Sequence, residues 1–159
     1  IVRAMPNMPA LIGQGISGLF ARAQVSTTDR AQIERVMGST GELLWVQEEG
    51  QLDAVTALSG SGPAYVFFFL EAMVQAGQAM GLSTEQSQRL ALATFRGAAE
   101  LALRSDESPA TLRQRVTSKG GTTHAAITSM QQAKVPEHFI AAMKAAEQRA
   151  RELAAEFGA

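Results

Sequence analysis

The sequence predicts a mainly α-helical chain that opens with a short β-α-β stretch, and three observations carry that expectation. Before Gly50 the apolar residues fall into short strand-like runs separated by one capped helical segment. After Gly50 the spacing turns helical and is punctuated by Ser-x-x-Gln, Ser-Pro and Gly signals. Hydrophobic residues make up 46% of the 159 positions, enough for a real core in one moderate domain, or in one domain plus part of another.

The elements follow in order. Gly15-Ile16-Ser17-Gly18-Leu19-Phe20-Ala21 reads as a strand. Thr28 and Asp29 are suited to cap a short helix through Met37, which Gly38 stops. Leu43-Leu44-Trp45-Val46 reads as a buried strand closing at Glu48, Glu49 and Gly50. Strand, helix and strand in that order suit the edge of a sheet better than a domain of their own. Leu52 to Leu58 is expected to form a short helix ended by Ser59-Gly60-Ser61-Gly62. Pro63 then opens a helix to Met80, with Gly81 as terminator. Ser83 and Gln86 form a capping-box pattern ahead of a helix to about Arg104. Ser108 and Pro109 start a short helix that delivers the chain to a glycine loop near Arg115. Helices from Thr123 to Ala133, and from Pro136 to about Phe157, complete the chain.

The helix from Pro63 to Met80 is apolar nearly all round: Tyr65, Val66, Phe67, Phe68, Phe69, Leu70, Met73 and Val74. Such a helix needs cover on every side. Two arrangements supply it, a partner subunit or a central place in one monomeric core. A formal net charge of −1 gives no electrostatic footprint for nucleic acid and no basic stripe for a membrane surface. Zero cysteines exclude disulfides and Cys-ligated metal, which suits a cytoplasmic protein without demanding one. No signal-peptide pattern is read. The run from Pro63 to Leu70, followed by Glu71, Gln75 and Gln78, is expected to be too short and interrupted to span a bilayer. The chain opens on Ile1 in mid-pattern, and its N-terminal portion is expected to lie outside these residues.

The stretch Val116-Thr117-Ser118-Lys119-Gly120-Gly121-Thr122-Thr123-His124-Ala125 is the candidate site. Ser, Gly and Thr with little side-chain bulk offer backbone N–H groups and hydroxyls to an anion at the positive end of the following helix. A small metabolite's carboxylate fits this better than a nucleotide phosphate, because Lys119 precedes the glycines and the P-loop order is not met. The same residues equally suit a C-cap followed by an N-cap with no ligand at all. Elsewhere, His124 and His138 have no partner pattern for a hydrolase triad, and no HExxH, EF-hand or Cys/His spacing supports a metal. His124 reads as a solvated first-turn residue. Gly60-Ser61-Gly62 lacks the third glycine of a dinucleotide fingerprint and lies between helices.

Three segments in register resemble the pyrroline-5-carboxylate reductase family: Arg3-Ala4-Met5-Pro6-Asn7-Met8-Pro9-Ala10, Leu58-Ser59-Gly60-Ser61-Gly62-Pro63-Ala64-Tyr65, and Val116-Thr117-Ser118-Lys119-Gly120-Gly121-Thr122-Thr123. The resemblance covers essentially the whole chain. It implies a mainly α fold in which residues 1–49 are the C-terminal end of an NAD(P)-binding Rossmann domain and residues 50–159 a helical dimerisation and substrate-binding domain. It implies a homodimer that often assembles into a decamer. The implied reaction is reduction of 1-pyrroline-5-carboxylate to L-proline by NADPH or NADH, the last step of proline biosynthesis. The glycine-rich turn that cradles the cofactor pyrophosphate is not among these residues, so the chain alone is expected to be inactive.

By the same resemblance, Ser118, Gly120, Gly121, Thr122 and Thr123 form the substrate pocket, with the Thr123 hydroxyl, the implied catalytic group, on the ring nitrogen. A carboxylate at Glu49 lies near the site, where its charge favours the iminium; a solvated strand end is the plainer explanation. Met5, Pro6 and Asn7 lie near the nicotinamide. Lys119 departs from the family, which usually has proline there; its charge either draws in the anionic substrate or points into solvent, and solvent is favoured. Two rival functions remain. A hydroxyacid-dehydrogenase-like reductase would carry a helical Gly-x-x-x-Lys-x-x-Asn pattern, which is absent. A non-catalytic helical homodimerisation module would need no site at all.

Overall fold

The computed structural model describes residues Ile1 to Phe157. Strand β1 (Val2–Met5) runs through a short 3-10 turn (Met8–Ile12) into β2 (Gly15–Ala21). Helix α1 (Thr27–Met37) follows, and then β3 (Gly41–Trp45). The sheet order is β1-β2-β3, with β1 antiparallel and β3 parallel to β2. The expected strand-helix-strand crossover is therefore present, with β2 on its expected residues; β3 begins two residues earlier than expected and is not buried, since Leu44 is 52% exposed.

Strand β1 was not expected. Its four residues are too few to show alternation, and its strand geometry comes from pairing Val2 with Ala21 and Met5 with Gly18. The cap of α1 also differs. Ser26, not Thr28, is the N-cap, and its hydroxyl accepts from the Asp29 amide while Asp29 accepts from the Ser26 amide. Gly38 does not stop the chain outright; a 3-10 turn continues through Thr40. Gly41 makes the break at φ 134, with no room for a Cβ against Gly15.

The largest correction concerns residues 51–79. The Ser-Gly-Ser-Gly stretch does not end a helix. Helix α2 (Gln51–Val55) passes through a π-turn (Thr56–Gly60) into α3 (Gly62–Ala79). The resulting run, Gln51–Ala79, is 29 residues long and, by length and composition only, apolar enough to cross a membrane. The helix is longer than expected, while its densest apolar stretch is still Pro63 to Leu70, followed by Glu71, Gln75 and Gln78. Glycine and serine are poor helix formers in isolation, but here tertiary hydrogen bonds hold the turn.

Helix α4 (Thr84–Leu103) starts at the expected Ser83–Gln86 capping box. The short α5 (Pro109–Arg115), α6 (Thr122–Gln132) and α7 (Val135–Phe157) match the expected helices to within a residue or two.

Two compact units emerge. One comprises Ile1–Val66 with the chain from Ile140, and the other Phe67–Phe139. In the first unit Leu19 is fully buried, beside buried Ser17 and Leu52, and Gly18 packs so close to Val55 that a Cβ would sit 2.7 Å from its Cγ1. The second unit holds α3 and α4 together at Gly77, whose missing Cβ leaves room for Ser87. There Ala91 is buried and Phe69 meets Phe139 edge-on at 5.6 Å, yet Phe67 and Phe68 are 51% and 68% exposed.

Candidate functional site

The glycine loop lies in the second unit, between α5 and α6. Its entry is anchored on the helix before it. The Thr117 hydroxyl donates to the Arg113 carbonyl at 2.6 Å, closing the end of α5, and Arg115 pairs with Glu107. The chain then reverses through Gly120 at φ 76, a left-handed value that suits glycine. Gly121 becomes the N-cap of α6 in an extended conformation. A Cβ on Gly121 would sit 2.6 Å from the Ser118 hydroxyl, so the loop closes tightly only with glycine there.

A glycine N-cap has no side chain to satisfy the first turn of its helix, and no side-chain cap is made. The first helical bond runs from Ala125 N–H to the Gly121 carbonyl at 3.1 Å. The amides of Thr122, Thr123 and His124 therefore have no helical acceptor and lie at the positive end of α6. The Gly121 amide was expected to join them. It donates instead to the Ser118 carbonyl at 3.0 Å, so of the amides expected from Gly120 through Thr123 that of Gly121 is withdrawn, and the amide of His124, a residue expected only to be solvated, joins those of Thr122 and Thr123. Thr122 is exposed and Thr123 half-buried, while Ser118, Lys119 and His124 are exposed.

The remaining expected residues lie in the first unit. Glu49 is bound by Arg3, whose guanidinium donates to its Oε1 at 2.9 Å. That hydrogen bond, with the charges of Arg3 and Arg22 behind it, holds the Glu49 carboxyl below its ordinary range. Arg3 was not singled out from the sequence. It lies 46 residues away, and only strand pairing brings it to Glu49. Met5 is half-buried and borders a cleft of about 360 Å³ with Arg3, Leu52, Asp53, Thr56 and Leu153. Pro6 is exposed. The Asn7 carboxamide accepts from the Ile16 amide at 3.0 Å and donates to the Ser59 hydroxyl at 3.2 Å.

A half-buried thioether next to an exposed proline ring offers apolar contact that fits one face of a nicotinamide. A pyrophosphate finds no equivalent fit. Among the described residues, the strand-to-helix turn at 22–26 carries no glycine and the one at 46–50 only Gly50, so neither has the spaced glycines that cradle a pyrophosphate. At most one corner of a dinucleotide site is therefore present. No group of three or more His, Asp or Glu side chains suited to a metal ion occurs among the described residues.

A small sheet, a set of largely apolar helices and a helix that starts without a side-chain cap after a glycine loop are the features that the comparisons with known proteins address. The profile described as "Pyrroline-5-carboxylate reductase dimerisation" matches residues 49–153. The chain is 51% identical over 158 residues to a pyrroline-5-carboxylate reductase of Pseudomonas aeruginosa, covering 99% of this chain and 58% of that protein. It is 40% identical to the Haemophilus influenzae enzyme, covering 96% of this chain and 57% of that one. Among solved structures, it is similar to a pyrroline-5-carboxylate reductase from Coxiella burnetii. There the TM-score is 0.92 and the identity 44%, over 96% of this chain and 57% of that one. The Plasmodium falciparum pyrroline carboxylate reductase with NADP bound aligns at TM-score 0.90 and 33% identity, over 96% of this chain and 62% of that one. The chain belongs to the pyrroline-5-carboxylate reductase family, and it spans somewhat more than half the length of these relatives.

Proposed function

We propose that this chain is the substrate-holding and subunit-joining part of an enzyme that reduces 1-pyrroline-5-carboxylate to L-proline with NAD(P)H. The observation that carries the proposal is the first turn of α6, where a glycine N-cap leaves the amides of Thr122, Thr123 and His124 to a ligand. The substrate's carboxylate sits on those amides, favoured by the helix dipole. The Thr123 hydroxyl holds the ring nitrogen, and Ser118 and Gly120 shape the pocket wall. Gly121 contributes by its lack of a side chain, since its amide is committed to Ser118.

NADPH or NADH, when bound, supplies the hydride that the C=N carbon accepts. The Met5-Pro6-Asn7 segment flanks its nicotinamide. The chain's own task is to hold the imine at reacting distance, which is where most of the rate is won in such a transfer. Glu49 carries less of the mechanism than the glycine loop, because Arg3 already binds its carboxylate. Support for a nicotinamide partner comes from the NADP in the Plasmodium relative, and for the 49/50 domain boundary from the start of the profile match at residue 49. The exposed aromatic face of α3 supports a homodimer in water, in which a second copy covers it.

In the full-length enzyme, Thr123→Ala removes one hydrogen bond to the reacting ring. It is expected to lower kcat/KM about tenfold to a hundredfold, for a bond worth ~1.5–3 kcal/mol. NAD(P)H oxidation with pyrroline-5-carboxylate measures this, and unchanged kinetics remove Thr123 from the site. The 159-residue chain alone is expected to show little or no turnover in the same assay.

A further inference from the structure

We propose that Ser59 is a positioning residue for the cofactor-side loop, acting through Asn7, and that the π-turn of residues 56–60 is the device that presents it. The proposal rests on the functional reading above for one point only, that Met5-Pro6-Asn7 faces the nicotinamide.

The turn is an irregularity inside an otherwise continuous 29-residue helical run. π-turns are rare and cluster at functional sites, because widening the turn misaligns carbonyls that a plain α-helix would satisfy. Here two carbonyls of the turn have specific partners. The Ser61 amide donates to the Thr56 carbonyl at 2.8 Å, and the Tyr65 hydroxyl donates to the Ala57 carbonyl at 3.0 Å. The Thr56 hydroxyl bonds back to the Leu52 carbonyl at 2.8 Å.

Two consecutive residues of the turn then touch the same distant loop. Ser59 accepts from the Asn7 carboxamide at 3.2 Å, across 52 residues of sequence. Gly60 lies against Met5, so near that a Cβ would sit 2.4 Å from the Met5 Cε. The other end of the Asn7 carboxamide is also committed, to the Ile16 amide of β2 at 3.0 Å. With its oxygen and one N–H engaged, Asn7 is a strut from sheet to helix rather than a side chain reaching for a ligand. What remains to face a cofactor is the Met5 thioether, the Pro6 ring and the backbone between them, held at both ends.

Hydride transfer is sensitive to displacements well under an ångström, so slack in this strut falls on cofactor binding and orientation, not on the carboxylate pocket. In the full-length enzyme, Ser59→Ala is expected to raise the KM for NAD(P)H about threefold to tenfold, the usual worth of one neutral hydrogen bond, with the KM for pyrroline-5-carboxylate unchanged. Ser59→Thr keeps the hydroxyl and is expected to restore the wild-type value. Combined with Asn7→Ala, Ser59→Ala is expected to add nothing, because both changes cut the same link. Gly60→Ala crowds only the flexible end of Met5, leaves the fold intact and is expected to move the same constant in the same direction.

Hydrogen exchange on the full-length protein without cofactor gives a readout independent of activity. In Ser59→Ala, residues 5–7 and 56–61 are expected to exchange faster together. Faster exchange confined to 56–61, an unchanged cofactor KM, or additive effects of the Asn7 and Ser59 changes would each overturn the proposal. Failure of the wild-type enzyme to turn over pyrroline-5-carboxylate would instead overturn the functional reading, and the exchange measurement would still decide whether the strut exists.

Discussion

The two compact units differ in where their cores come from. The sheet-bearing unit makes its own. Leu19 on the central strand is 0% exposed, Leu52 and Ala57 are buried as well, and Gly18 admits Val55 at contact distance. The helical unit from Phe67 to Phe139 buries only small residues, Gly77, Ser87 and Ala91, while Phe67, Phe68, Leu90, Leu92 and Leu101 stay exposed. Helices joined through glycine and serine approach closely but bury little apolar area. The contrast lies in the size of what each unit buries: the sheet-bearing unit encloses Leu19 and Leu52, the helical one only a glycine, a serine and an alanine.

Substitutions in the two regions break or sharpen that contrast. The largest effect is expected from Leu19→Ala, which empties the one large site that is fully buried among the described residues and costs about 2–5 kcal/mol. Urea unfolding at any protein concentration measures it. A loss below about 1 kcal/mol would show that the sheet-bearing unit is not self-sufficient. Phe68→Asp comes next, and its signature is different. It is expected to weaken self-association by at least a hundredfold, through an unpaired charge placed against an apolar partner. Light scattering at micromolar concentration should turn from dimer mass to monomer mass, and a dimer that survives the change would place the interface elsewhere.

The smallest effect is expected at the edge of the sheet-bearing unit. Ser26→Ala removes half of the α1 capping box and costs about 1 kcal/mol. Acid loosens the same box. Hydrogen bonds from Ser26 hold the Asp29 carboxyl below its ordinary value of 3.8. Its contribution is therefore complete above that value and is lost as pH falls through the lower, folded one. Stability of Ser26→Ala should accordingly depend less on pH below about 4 than that of the wild type, as thermal melts across that range would show.

Local signals were legible in the sequence wherever a few adjacent residues decide the structure. The Ser83–Gln86 box, Gly81 after α3, the strand at Gly15–Ala21 and the glycine loop before α6 are such cases. Distant partners decided the rest. Ser59-Gly60-Ser61-Gly62 reads as a terminator because serine and glycine favour helix ends, yet Tyr65, Asn7 and Met5 keep the helix unbroken there. Val2–Met5 becomes a strand only by pairing, and the Arg3–Glu49 link depends on that pairing. Within the loop, the residues were legible but not the turn of the Gly121 amide toward Ser118, which follows from the left-handed Gly120.

The widened turn between α2 and α3 has a geometric corollary. One residue added to a helical winding shifts everything beyond it by about 100° around the axis. The side chains of Leu52 and Val55 and those of Tyr65 and Val66 therefore follow two wheels, not one. A single-residue deletion within 56–60 would restore unbroken winding, and in doing so would turn the Tyr65 hydroxyl away from the Ala57 carbonyl that it now holds.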